Sequence, residues 1–94
     1  MEYRYKLGDR VRVIDKIEMG KTHYMHSGPY SDSVAGALTI GTSFQERKTF
    51  AGKVVTIKGY RLGNYIVDED PAMLWADDMF VGWDKTKIRC KSLL

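Results

Sequence analysis

A chain of 94 residues and 10.8 kDa suffices for one domain with its own core, burying roughly 60–65% of its unfolded surface. Hydrophobic residues make up 44% and charged residues 29%, as in an ordinary soluble protein, and the single Cys90 excludes an intramolecular disulfide framework or a cysteine-based zinc knuckle. No apolar run approaches the roughly 18 residues of a membrane span, and Met1 leads straight into Glu2-Tyr3-Arg4, so a cytoplasmic protein without signal or membrane partner is expected.

The net charge of +3 is distributed in blocks. Residues 1–65 carry eleven Lys/Arg against six Asp/Glu. Residues 66–84 carry six acids and no base, and residues 85–94 carry four bases and no acid. A basic body with an acidic segment attracts a polyanion on one face only, unless the segments lie side by side and neutralise one another.

In chain order, Leu7-Gly8-Asp9 reads as a turn and Arg10-Val11-Arg12-Val13 as a strand, with the valines inward and the arginines in water. Residues 18–43 break this alternation with Gly20, Gly28, Pro29, Gly36 and Gly41. Two weakly periodic pieces survive there, His23-Tyr24-Met25-His26 and Ala37-Leu38-Thr39-Ile40, enough for a short hairpin. The segment is too apolar for a solvated linker, so it is expected to pack on the rest of the domain or on a second copy. Ser43-Phe44-Gln45-Glu46 fits a capping box and predicts a helical turn through Lys48 that ends before Gly52.

Residues 53–60 are rich in β-branched side chains and predict a strand, followed by a turn at Arg61-Leu62-Gly63-Asn64 and a second strand over 65–69. Asp70-Pro71 predicts the next turn and Met73-Leu74-Trp75-Ala76 the return strand. Asp77-Asp78-Met79-Phe80 predicts a helical turn capped by Asp77, and residues 81–90 hold a last strand with Ile88 and Cys90 on one face. The expected fold is mainly β: a small five-stranded SH3-like barrel over residues 1–94, with a long first loop, an insertion at about 18–48, and one or two short helical turns. Val11, Val13, Val55, Ile57, Tyr65, Val67 and Trp75 are its expected core.

Tyr5-Lys6-Leu7-Gly8-Asp9-Arg10-Val11-Arg12-Val13 resembles the opening of SH3-like and KOW-like small barrels. Phe50-Ala51-Gly52-Lys53-Val54-Val55-Thr56-Ile57, Tyr65-Ile66-Val67-Asp68-Glu69-Asp70 and Trp75-Ala76-Asp77-Asp78-Met79-Phe80 are similar to a group of small phage and prophage proteins. The likeness covers about residues 3–17 and 43–81. It implies the barrel fold and an origin in a mobile genetic element, and it implies no particular activity. The sequence departs from that pattern at Met73, where the group often has Trp, and at Arg47, near which it often has an apolar residue. Arg47 is therefore expected to leave the core and face a ligand.

Chemistry-bearing arrangements are sparse. His23-x-x-His26 is incomplete as a metal site without a further ligand at defined spacing. Asp68-Glu69-Asp70 with Asp77-Asp78 lacks the glycine and spacing of a calcium loop. No serine sits in a Gly-x-Ser-x-Gly elbow and no phosphate-binding loop is present, so neither catalysis nor a cofactor is expected. Aromatic and basic residues do interleave, as in Tyr3-Arg4-Tyr5-Lys6 and Lys21-Thr22-His23-Tyr24, a composition that suits a nucleotide or a single strand. An exposed Trp83 would be an interaction anchor.

The reading that follows is a phage counter-defence binding protein, an inhibitor that sequesters a host immune nucleotide signal or blocks a host protein. Its alternatives are a nucleic-acid-binding barrel and an SH3-type protein-interaction module. Lys21, His23, Tyr24, His26, Tyr30, Arg47 and Lys48 are the expected ligand-binding residues. Exposed strand edges also predict a homo-oligomer.

Overall fold

The computed structural model describes residues 2–29, 37–42 and 44–84. In chain order the elements are β1 (Arg10–Val13), β2 (Thr22–His23), β3 (Leu38–Thr39), α1 (Phe44–Lys48), β4 (Val54–Arg61), β5 (Asn64–Val67), β6 (Asp70–Trp75), a 3₁₀ turn (Asp77–Met79) and β7 (Phe80–Trp83). Five of the strands form one antiparallel sheet in the order β6-β5-β4-β1-β7, and β2 and β3 form a separate ribbon. Mainly β architecture and the expected inward residues are both present. Val11, Val13, Val55, Ile57, Tyr65, Val67 and Trp75 are all buried to within 1%.

The sheet is curled. Its two edge strands, β6 and β7, are joined by residues 76–79 alone. In a flat five-stranded sheet those edges would lie about 19 Å apart, a gap that a 3₁₀ turn rising about 2 Å per residue does not span. Instead Trp75 and Phe80, one from each edge strand, stack inside the curl with ring centroids 6.0 Å apart. Three irregularities in register bend the strands, at Arg12/Val13, Ile57/Gly59 and Tyr65/Val67. An extra residue on one strand of a pair increases local twist, which is how a short sheet turns back on itself.

Two boundaries differ from those expected from sequence. The turn between β5 and β6 falls at Asp68-Glu69, two residues before Asp70-Pro71, and Pro71 lies within β6. Proline is tolerated because β6 is an edge strand whose register with β5 is irregular at that point. Glu69 holds the turn by accepting the Thr56 amide at 2.8 Å. The 3₁₀ turn begins after Ala76 with no side-chain cap, so Asp77 is not the cap the sequence suggested. Ile88 and Cys90, expected on the last strand, and Ser43, the expected cap of α1, lie outside the described residues.

Part of the segment between β1 and α1 belongs to the core. Gly20 N–H donates to Ile40 C=O at 2.8 Å and Ile40 N–H to Lys21 C=O at 2.9 Å, closing the ribbon at its base. Ile17, Met25 and Ile40 from this segment join the buried cluster of the sheet. These residues thus pack on the rest of the domain, as their apolar content predicted, and are not a solvated linker.

The N-terminal residues thread between the two parts. Gly28 N–H donates to Glu2 C=O at 3.0 Å and Arg4 N–H to Ser27 Oγ at 2.7 Å. Tyr3 stacks on Tyr60 at 3.8 Å, with Gly28 against it. Gly28 has φ +80°, and a Cβ there would come within 2.7 Å of the Tyr3 ring, so both conformation and space require glycine.

Candidate functional site

The 3₁₀ turn places two adjacent carboxylates against the insertion ribbon. Asp77 is buried, at 1% exposure. Its Oδ2 accepts the His26 amide at 2.8 Å and the Ser27 hydroxyl at 2.7 Å. Ser27 Oγ lies 3.1 Å from Tyr65 Oη, which in turn accepts the Tyr5 amide at 3.2 Å. A chain of polar contacts thus runs from the N-terminal segment through the core tyrosine to the 3₁₀ turn. Burial, together with the hydrogen bond to Asp77, pushes the Tyr65 hydroxyl well above the usual tyrosine range, so it remains protonated. Such a network is costly when half made, because a buried polar group left without its partner loses about 1–3 kcal/mol.

Asp78 faces outward and stands between the two histidines. Its Oδ2 is 3.8 Å from His23 Nδ1, and its Oδ1 is 3.9 Å from His26 Nε2. Main-chain contacts fix this pairing, since Asp78 N–H donates to Tyr24 C=O at 3.3 Å. His23 is buried, and among the described residues neither of its ring nitrogens has a hydrogen-bond partner. Burial holds its pKa below the usual histidine range, partly offset by Asp78; Lys21 and Arg47 push it further down. His23 is therefore a neutral imidazole at pH 7. His26 is exposed. Among the described residues no group of three or more His, Cys, Asp or Glu side chains could hold a metal ion.

The sequence-predicted residues fall into three groups. Lys21, His23, Tyr24 and His26 come together at the ribbon and the 3₁₀ turn, with Tyr24 and His26 exposed on its outer side and Lys21 exposed beside them. Arg47 takes a different place from the one expected: it is buried, at 6% exposure. Its Nη2 donates to Leu74 C=O at 2.7 Å and its guanidinium lies 5.8 Å from the Trp75 ring centroid. A planar cation can occupy a position suited to an apolar residue when a carbonyl and an aromatic face receive it. Arg47 thereby ties α1 to β6, within electrostatic reach of His23 and Asp70. Lys48 is exposed on α1 with its ammonium 5.5 Å from the Phe44 ring centroid. Tyr30 lies outside the described residues.

Sequence reasoning missed Ser27, Tyr65 and Asp77 as members of the site. Their contacts join residues 38 to 51 positions apart, and no local spacing encodes them. The one usable signal was the acid pair Asp77-Asp78 directly after an apolar strand, a place where an acid must find a partner.

A second surface lies at the Tyr5 end of the core. Trp83 is 44% exposed and its Nε1 donates to Asp9 Oδ2 at 2.8 Å. Arg4 sits 5.2 Å from the Tyr5 ring centroid and 5.6 Å from that of Trp83. No helix among the described residues is long and apolar enough to cross a membrane. No family model matches this chain, and neither a curated protein nor a solved structure shows significant similarity to it.

Proposed function

We propose that this chain is a small SH3-like barrel of phage origin that acts as a binding protein and blocks a component of host immunity. The curled five-stranded sheet supports the barrel reading, because its two edges are brought within ring-stacking distance. The observation that carries the binding reading is the insertion. A segment of this length that is wired into the core through Asp77 presents Lys21, Tyr24 and His26 on a fixed frame, and a preorganised surface loses less entropy on binding than a mobile loop. The exposed Asp78 carboxylate disfavours a phosphate beside it, which ranks a host protein ahead of a nucleotide signal as the target. Catalysis and a resident cofactor form no part of this reading. Self-association through the β6 or β7 edge is part of it, and light scattering at high protein concentration tests that point.

The functional test is a phage challenge in bacteria that carry single defined immune systems. Expression of the chain is expected to restore plaque formation against at least one system, and Tyr24→Ala with His26→Ala to abolish that effect at equal protein level. Calorimetric titration with a panel of cyclic nucleotides is expected to be silent, and heat release there would move the target from protein to nucleotide. Failure to restore plaques across a broad panel would overturn the reading.

A nucleic-acid-binding barrel is favoured by one separate observation, the half-exposed Trp83 with Arg4 against it. Aromatic faces stack on bases while guanidinium groups meet phosphates. Salt-dependent binding to generic oligonucleotides, lost in Trp83→Ala, would select that alternative.

A further inference from the structure

We propose that His23 is an acid release for the insertion: protonation drives its ring out of the interior and frees the β2–β3 ribbon from the 3₁₀ turn. The face that carries Lys21, Tyr24 and His26 is then ordered in neutral solution and lost in acid, a consequence that rests on the functional reading above. The release itself rests on geometry. The His23 side chain is 3% exposed, at the end of β2 and beside Asp78. Among the described residues neither ring nitrogen has a hydrogen-bond partner. A neutral imidazole has one donor and one acceptor to satisfy there, whereas an imidazolium buries two donors and a charge.

The groups that face the ring receive that charge poorly. Asp78 Oδ2, on the 3₁₀ turn, stands 3.8 Å from Nδ1, outside hydrogen-bond range. The same oxygen accepts the Tyr24 amide at 3.4 Å, and Oδ1 faces His26 Nε2 at 3.9 Å. With 41% of its side chain exposed, Asp78 is also screened by water. Glu18 adds a weaker attraction, while Lys21 beside β2 and Arg47 on α1 oppose the proton. Burial outweighs Asp78, so the closed ribbon takes up the proton less readily than an open one.

The ribbon is lightly held where His23 sits. Its strands have two residues each, and Asp78 N–H donates to Tyr24 C=O at 3.3 Å. The firmer anchors flank it in the chain. Met25 and Ile40 are buried in the core, and Asp77 receives the His26 amide and the Ser27 hydroxyl. None of these contacts uses His23, so the opening is confined to the ribbon and the sheet stays folded.

Ring NMR follows the chain's two histidines, with His26→Ala assigning the signals. On acidification from neutrality the His23 ring is expected to titrate below the ordinary histidine value of about 6.5. Protection of the Asp78 amide against exchange is expected to fall with it, by up to about tenfold per pH unit, because opening takes up one proton. Protection of the Ile57 amide, which donates to Asp9 C=O in the sheet, is expected to hold. His23→Gln is expected to keep the Asp78 amide protected in acid, and the wild-type titration decides the point alone if that variant does not fold. A His23 ring that stays neutral down to global unfolding would overturn the proposal. So would an Asp78 amide that stays protected, or gains protection, as His23 titrates, and so would an undiminished acid response in folded His23→Gln. No target enters these measurements, so a ribbon that stays closed in acid defeats the release and leaves the phage challenge to decide the binding reading.

Discussion

The curled sheet and the insertion are held by different forces. In the sheet, the inward residues of β1, β4 and β5 alternate with half-exposed or exposed ones, and burial of Val, Ile and aromatic side chains does most of the work. In the insertion, two strands of two residues each supply little of their own. That region is fixed by a few apolar plugs, Met25 and Ile40, and by polar contacts to the 3₁₀ turn and the N-terminal segment. A periodic apolar pattern specifies a strand locally. A polar staple specifies a loop only once its distant partner is in place.

The largest expected effect follows from this difference. Removing residues 20–41 and joining the ends with a short Gly-Ser linker takes Met25, Ile40 and His23 out of the core and leaves Asp77 buried beside lost partners. The variant is expected not to fold, by near-UV circular dichroism and amide exchange. A cooperative thermal transition in that variant would show that the insertion is an accessory to the sheet. Single truncations sharpen the point. Met25→Ala and Ile57→Ala are each expected to cost about 2–5 kcal/mol in denaturant unfolding, the ordinary range for a buried aliphatic side chain. A cost below about 0.5 kcal/mol for Met25→Ala alone would place it at an accommodating surface rather than in the core.

Next in size is the staple itself. Ser27→Ala removes one hydroxyl that donates to Asp77 and accepts from Arg4, and it leaves the buried carboxylate short of a donor. The expected loss is about 1–3 kcal/mol. Amide exchange at His26, whose N–H donates to the same carboxylate oxygen, is expected to quicken more than exchange in β4. Equal quickening in both regions would mean that insertion and sheet open as one unit.

Legibility in the sequence followed the same division. The strands β1, β4 and β5, the short helix α1, the turn at Leu62-Gly63 and the seven expected core residues were all readable, because each rests on alternation or turn chemistry within a few residues. Pro71 misled, since a proline reads as a stop unless the strand is known to lie at an edge. Arg47 misled in the opposite sense. Its carbonyl and aromatic partners lie 27 and 28 positions along the chain, and without them a buried guanidinium has no visible support. Lys21, His23, Tyr24 and His26 are neighbours in the sequence, whereas the carboxylates packed against them come from the distant 3₁₀ turn.

A milder perturbation separates the two regions without mutation. His23 has a folded pKa below its ordinary value, chiefly through burial. The unfolded chain therefore binds a proton at His23 more readily than the folded one. The sign follows: the contribution is intact above the ordinary histidine range and is lost as pH falls through it toward the lowered folded value. Denaturant unfolding is expected to show stability declining below about pH 6.5. His23→Gln, which cannot titrate, is expected to flatten that slope. An unchanged slope would assign the acid sensitivity to other groups.

The smallest expected effect is a gain, and it concerns the sheet alone. The β4–β5 hairpin turns through Leu62-Gly63, with Arg61 opposite Asn64 and both turn residues at positive φ, 53° and 81°. This is the two-residue turn whose twist matches the flanking strands, and it favours Asn-Gly. Glycine meets the requirement at the second position. Leucine at the first carries a Cβ into the left-handed region, at a cost of about 1–2 kcal/mol. Leu62 is 70% exposed, so its side chain returns little of that cost through burial. Leu62→Asn is expected to recover about 1 kcal/mol, because asparagine tolerates this conformation. In a domain this small that gain corresponds to a melting temperature higher by about 4–8 °C. Amide exchange at Ile66 and Val67 should slow while exchange at Thr22 and His23 stays unchanged, since the strain is local to the hairpin. A lower melting temperature would mean that Leu62 covers apolar surface on a neighbour or a second copy, and that its strained conformation is held for that contact.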